Sequence, residues 1–146
     1  MKCQYFEMIK KKSTLTVPKL KKKLDRLFSK YIKLRDGGED YFKCISCSRT
    51  KPLNQFNAGH YWSRRFMSTR YDEKNVNGQC IYCNMHLKGN IQGYTTGLLK
   101  KYGKEILQHL EIKKNNISNL GKFELTVLID EYKDKIKGQE RLNLKK

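Results

Sequence analysis

Cys44-Ile45-Ser46-Cys47, Asn57-Ala58-Gly59-His60-Tyr61, Arg70-Tyr71-Asp72-Glu73-Lys74-Asn75 and Cys80-Ile81-Tyr82-Cys83-Asn84 are the runs around which this chain is built. Two Cys-x-x-Cys pairs bracket a lone histidine and an asparagine-containing return. Four thiolates in two close pairs suit one tetrahedral zinc, because each pair offers two ligands from a tight turn and the ion fastens the turns together. The 32 residues between Cys47 and Cys80 exceed the gap of an ordinary zinc ribbon, so they should form structure of their own.

Working outward, 146 residues suit one domain. Mean hydropathy is −0.80, which leaves a small apolar core. A zinc staple can substitute for missing burial. The net charge of +18 points to a polyanionic partner, nucleic acid, rather than a neutral one. A lysine-rich solvated surface is the plainer alternative. Cys3 is the fifth, unpaired cysteine. The N-terminus lacks the apolar run of a signal peptide, and no stretch approaches the ~20 apolar residues of a membrane span. Zinc thiolates in a reducing cytoplasm, with no membrane partner, are therefore expected.

Residues 1–14, with Lys10-Lys11-Lys12, read as a disordered basic tail. Residues 15–40 read as a basic amphipathic helix starting near Pro18 and stopped by Asp36-Gly37-Gly38. Leu20, Leu24, Leu27, Phe28, Tyr31, Ile32 and Leu34 form its apolar stripe. Lys19, Lys21, Lys22, Lys23, Arg26, Lys30 and Lys33 populate mainly the other positions, as a solvated face or a phosphate track. Residues 41–112 read as the zinc-bound core, with a helix starting near Asn84 and a further short helix through Ile106, Leu107 and Leu110. Residues 113–146 read as a loop, a last helix over about 123–137 closed by Gly138, and a frayed tail.

The cysteine pairs, Ala58-Gly59-His60-Tyr61, Arg70 to Val76, Gln79-Cys80, Cys83-Asn84 and Gly89-Asn90 together resemble the NinG/Rap family of lambdoid phages, HNH-type recombination nucleases. The arrangement is also similar to endonuclease VII, a Holliday-junction resolvase. The resemblance implies an α+β fold: a small zinc-stapled ββα-metal core of the HNH, or His-Me finger, kind, flanked by basic helices. It implies Mg²⁺- or Mn²⁺-dependent hydrolysis of phosphodiester bonds in branched recombination intermediates such as Holliday junctions and D-loops.

Such hydrolysis needs a base, a charge-neutralising cation and groups that hold the backbone in line. His60 is the candidate base, since an imidazole is substantially neutral at working pH. Asn84, directly after the last zinc ligand, is either an oxygen ligand of the catalytic ion or a helix N-cap. Asn75 takes its catalytic role from the resemblance: it holds the hairpin loop and orients the base; otherwise it is an ordinary turn asparagine. Many HNH sites carry an ion-binding Asp immediately before the His; here that position is Gly59, leaving Asn57 and Asp72 as the nearest further oxygen donors. Arg64, Arg65, Arg70 and Lys88 join the lysine cluster as candidate DNA contacts. His86 and His109 take no part in this assignment.

A homodimer on branched or duplex DNA is the expected assembly. Two other readings remain: a non-catalytic zinc module that binds nucleic acid, and a sequence-specific HNH nuclease.

Overall fold

The computed structural model describes residues 15–145. The expected basic tail, Cys3 and the Lys10–Lys12 block lie outside them.

Helix α1 spans Val17–Asp36, with Pro18 in its first turn and Lys33 and Arg35 in its last. Both placements suit the helix: proline needs no N–H donor there, and cations complement the C-terminal carbonyls. Leu20, Leu24, Phe28 and Ile32 recur every four residues and are buried. They pack on helix α5, Lys122–Asn143, through Leu125, Ile129 and Tyr132. The rings of Phe28 and Tyr132 meet edge-on at 5.0 Å. Near the other end Asn143 donates to the Leu34 carbonyl, so the helices run side by side in the same direction.

Helix α5 passes through Gly138, where a stop was expected. The Lys30–Glu140 ion pair and the Asn143 bond hold the last turns against α1. Tertiary contact thus overrides the weak helix propensity of one glycine.

In the chain between these helices come two small antiparallel sheets. Strands β1 (Tyr41–Lys43) and β2 (Thr50–Pro52) enclose the first cysteine turn. Strands β3 (Phe56–His60) and β4 (Val76–Cys80) pair with His60 opposite Val76, Gly59 opposite Asn77 and Phe56 opposite Cys80. Because side chains alternate across a strand, Phe56, Ala58 and Val76 turn towards α1. Asn77 and Gln79 face the other way. Helix α2 is the single turn Met67–Arg70 in the long β3–β4 connection.

A helix expected from Asn84 is instead two pieces. Tyr82–His86 form a wide π-helical turn. Lys88, Gly89 and Asn90 then take positive φ, which breaks the helix before α3, Ile91–Tyr102. Asn90 caps α3 by accepting from the Gly93 N–H. A side chain on Gly93 or Gly97, which share one face of α3, would overlap the carbonyls of Ser46 and Ile45. That glycine face lets the helix backbone lie directly on the first cysteine turn. Helix α4, Ile106–Asn115, closes a second cluster with Tyr94, Leu98, Ile106 and Leu110. The architecture is a mixed α+β fold.

Candidate metal centre and active site

The four cysteines converge. Cys44 and Cys47 sit on the β1–β2 turn, Cys80 ends β4, and Cys83 lies in the π turn; all four sulfurs lie within 4.8 Å of one another. Zinc-bound thiolates are set by Zn–S bonds of about 2.3 Å, and this cluster is tight enough to collapse onto such an ion. Two N–H groups already point at sulfur, from Cys80 to Cys44 and from the Asn90 amide to Cys83, each at 3.3 Å. Such bonds stabilise thiolates and orient the ligands. Backbone N–H groups of Cys47, Cys80 and Ser46 bring the Cys44 thiol below its usual range against the effect of burial, whereas burial pushes Cys83 up to about 12. A central cation would favour the thiolate at every position. The donor set therefore fits zinc, and the cluster staples β1–β2, β4 and the π turn together.

His60 ends β3. Its Nε2 lies 3.0 Å from the Arg70 carbonyl oxygen. A carbonyl only accepts, so Nε2 carries the proton and Nδ1 holds the lone pair. Burial, reinforced by the Arg64 cation, brings His60 down to about 4, outweighing the Arg70 and Ala58 carbonyls that favour its charged form. The ring is neutral across ordinary working pH.

Asn75 is fully buried. Its Oδ1 accepts from the Trp62 N–H at 2.8 Å, and its Nδ2 donates to the carbonyls of Trp62 and Thr69, each at 3.0 Å. One amide thus ties the chain just after His60 to the chain just before Arg70, whose carbonyl holds the imidazole. Asp72 works in the same loop. It accepts from the N–H groups of Lys74 and Asn75, and pairs with Lys113. The cation and the two N–H groups hold its carboxyl below the usual range despite burial.

Asn84 and Asn57 line one open depression of about 580 Å³, together with Lys30, Lys33 and Arg64; neither His60 nor Asp72 borders it. Two amide oxygens offer a divalent cation hard ligands but no negative charge among the lining residues. Phosphate oxygens would have to complete the coordination.

At Gly59 a side chain would overlap Gln79 Oε1. Gln79 Nε2 donates to Ser46 Oγ and the Gly89 carbonyl, which fixes the amide; its Oε1 is buried without a conventional partner and abuts the Gly59 Cα. The space that a side chain at position 59 would need is thus filled from the neighbouring strand by Gln79.

The candidate DNA contacts separate. Lys22, Arg64, Arg65 and Lys88 are exposed, while Lys21 and Lys23 are half-buried on the flanks of α1. Arg70 makes a two-pronged pair with Asp25 at 2.6 and 3.0 Å. Of the cations that the sequence offered on this helix as a solvated face or a phosphate track, Lys19, Lys22, Arg26, Lys30 and Lys33 are all exposed at spacings of three and four along α1 and form a ridge. That spacing places them on one face, leading to the depression. The periodicity that reveals the buried stripe also reveals this ridge.

No helix among the described residues is long and apolar enough to cross a membrane.

Comparison with known proteins places the chain. Residues 4–142 match the family model of the bacteriophage lambda NinG protein. The chain is similar to protein ninG of Escherichia phage 933W, 37% identical over 73 residues, covering 49% of this chain and 36% of that protein. It is similar also to protein ninG of Escherichia phage lambda, 36% identical over 73 residues, covering 49% of this chain and 35% of that one. These matches span about a third of the length of the curated relatives. No solved structure matches. With nearly its whole length accounted for by that family model, this chain belongs to the NinG family.

Proposed function

We propose that the chain is a zinc-stapled, divalent-metal-dependent DNA endonuclease of the HNH kind that acts on branched recombination intermediates. The observation that carries this reading is the neutral His60, held through Nε2 by the Arg70 carbonyl in a loop that Asn75 ties at both ends. The β3–β4 hairpin, the π turn and α3 correspond to the ββα unit in this reading, with zinc holding the turn in place.

His60 Nδ1 accepts a proton from water as its oxygen bonds to phosphorus and the bond from phosphorus to the bridging ester oxygen breaks, the departing oxygen taking a proton from solvent. Lys30, Lys33 and Arg64 hold the phosphate backbone at the depression, and Asn84 and Asn57 offer amide oxygens for the catalytic ion. Bound Mg²⁺ or Mn²⁺ would neutralise charge on the phosphoryl and leaving oxygens. Paired cuts across a four-way junction call for a two-fold dimer, and the exposed Phe123 and Val127, one turn apart on α5, offer it apolar surface.

One assay tests the reading: purified protein with four-way junction, flap, linear duplex and single strand, in Mg²⁺ or EDTA. Mg²⁺-dependent cutting confined to branched substrates is expected. A preferred sequence in linear duplex would favour the sequence-specific nuclease. The lack of any carboxylate around the depression favours one alternative, a non-catalytic zinc module that binds nucleic acid. Tight, EDTA-resistant binding without cleavage of any substrate would establish that alternative.

A further inference from the structure

The π turn and the start of α3 carry a cluster of exposed apolar side chains that neither the zinc centre nor the proposed chemistry uses. Tyr82 is 59% exposed, Met85 65%, Leu87 45% and Ile91 48%. Tyr82 is stacked on His86, with centroids 5.7 Å apart and planes 28° from parallel. The Leu87 N–H bonds to the Tyr82 carbonyl, which closes the wide turn and holds the two residues on adjacent turns of backbone. Adjacent large apolar groups left in water at a rigid turn mark an interaction surface.

Charge says what kind. Between Glu73 and Glu105 the sequence has no Asp or Glu, and it has five lysines, Lys74, Lys88, Lys100, Lys101 and Lys104. Met85 also borders the depression that holds Asn84, Lys30, Lys33 and Arg64. A partner that fits must bring negative charge and flat apolar faces together. In duplex DNA the base faces are covered by stacking; at a branch point they are open.

We propose that Tyr82, with Leu87 beside it, is a stacking platform for unpaired bases at a DNA branch point, and so supplies the preference for branched over linear DNA. This rests on the nucleic-acid reading above and specifies how that substrate is recognised. Apolar and aromatic side chains that meet unstacked bases gain sequence-tolerant affinity. Zinc held by the cluster would make the platform rigid, because Cys80 and Cys83 flank Tyr82 on either side.

The test is equilibrium binding in Ca²⁺ with neither Mg²⁺ nor chelator present, which separates recognition from cleavage and leaves bound zinc in place. Fluorescence anisotropy would compare a four-way junction and a splayed fork with a linear duplex of the same length. Wild type should prefer the branched forms. Tyr82→Ala with Leu87→Ala should weaken branched binding by about tenfold or more, the scale of one lost base–aromatic stack, and leave duplex binding unchanged. Tyr82→Phe keeps the ring and should match wild type. Lys88→Gln should weaken both substrates alike. These residues are exposed, so unchanged zinc content and circular dichroism should accompany each variant. If the alanine variant retains the branched preference, or wild type has none under these conditions, the platform is refuted. A platform refuted while wild type still cuts branched DNA leaves the nuclease reading standing. Conversely, selectivity that depends on Tyr82 in a protein that cuts nothing supports the platform and removes the nuclease.

Discussion

The Nε2 of His60 lies 3.0 Å from the carbonyl oxygen of Arg70, ten residues along the chain. That contact fixes the tautomer, the ring orientation and the atom left to accept a proton. It also ties the strand end that bears His60 to the loop that Asn75 organises.

The pH response of His60 follows. Its folded pKa, brought down to about 4 from 6.5, means that the unfolded chain binds more protons than the folded one between those values. Stability is therefore highest above that window and falls as pH falls through it. Urea denaturation between pH 4 and 7 should show this slope, and His60→Gln should flatten it. For the same reason the cleavage rate should show no rise controlled by a pKa near 6.5; an acid limb there would place His60 in a more solvated setting.

Asn75→Ala removes three hydrogen bonds at a fully buried site and leaves the Trp62 N–H and two carbonyls to find new partners. The expected loss is about 2–4 kcal/mol, since each stranded polar group costs on the order of 1–3 kcal/mol before relaxation. Chemical denaturation measures it. Asn75→Asp should also destabilise, because a carboxylate cannot donate to the Trp62 and Thr69 carbonyls.

The cysteine cluster and helix α3 are mechanically linked. A side chain at Gly97 would overlap the Ile45 carbonyl, between Cys44 and Cys47. Gly97→Ala should therefore destabilise the fold by about 1–3 kcal/mol, the usual range for overpacking, and lose zinc at a lower chelator concentration. Cys80→Ser should lose the ion outright. Metal analysis of freshly reduced wild type should find about one zinc per chain, as tetrahedral thiolate chemistry requires.

Much of this was legible in the sequence, and the rest was hidden for physical reasons. The cysteine spacing predicted the converging thiols, and the apolar period of four predicted the buried face of α1. Gly138 misled, because a glycine stops a helix only when nothing beyond it packs, and Glu140 and Asn143 do. Asn84 promised a helix start, yet the positive φ of Lys88, Gly89 and Asn90 delays α3 until Ile91. Asp72 offered a carboxylate near the histidine in sequence, but its pairing with Lys113 comes from a helix that no local pattern connects to it. Gln79 filling the space beside Gly59 depends on the register of β3 and β4, which residue spacing does not reveal.

The α1 ridge makes an electrostatic prediction. DNA affinity should fall steeply with salt as condensed counterions are released. Replacing Lys22, Arg26 and Lys33 with Gln should flatten the slope of log affinity against log salt by about two to three, close to one per lost phosphate contact. Replacing Lys21 and Lys23, which lie on the flanks, should change it less. Equal effects would place the DNA elsewhere on the helix.

The most direct measurement of the central claim is single-turnover cleavage of branched DNA by His60→Ala and Asn84→Ala beside wild type, with zinc content and DNA affinity measured on the same samples. The account predicts that His60→Ala loses at least ~10²-fold in rate, the lower end for a lost general base. Zinc and affinity should stay near wild type, and added Mg²⁺ or Mn²⁺ should restore nothing. Asn84→Ala should recover in part at high Mg²⁺ or in Mn²⁺, because a weakened ion site refills by mass action. Cleavage by His60→Ala at the wild-type rate, abolished by EDTA in both proteins, would contradict the account.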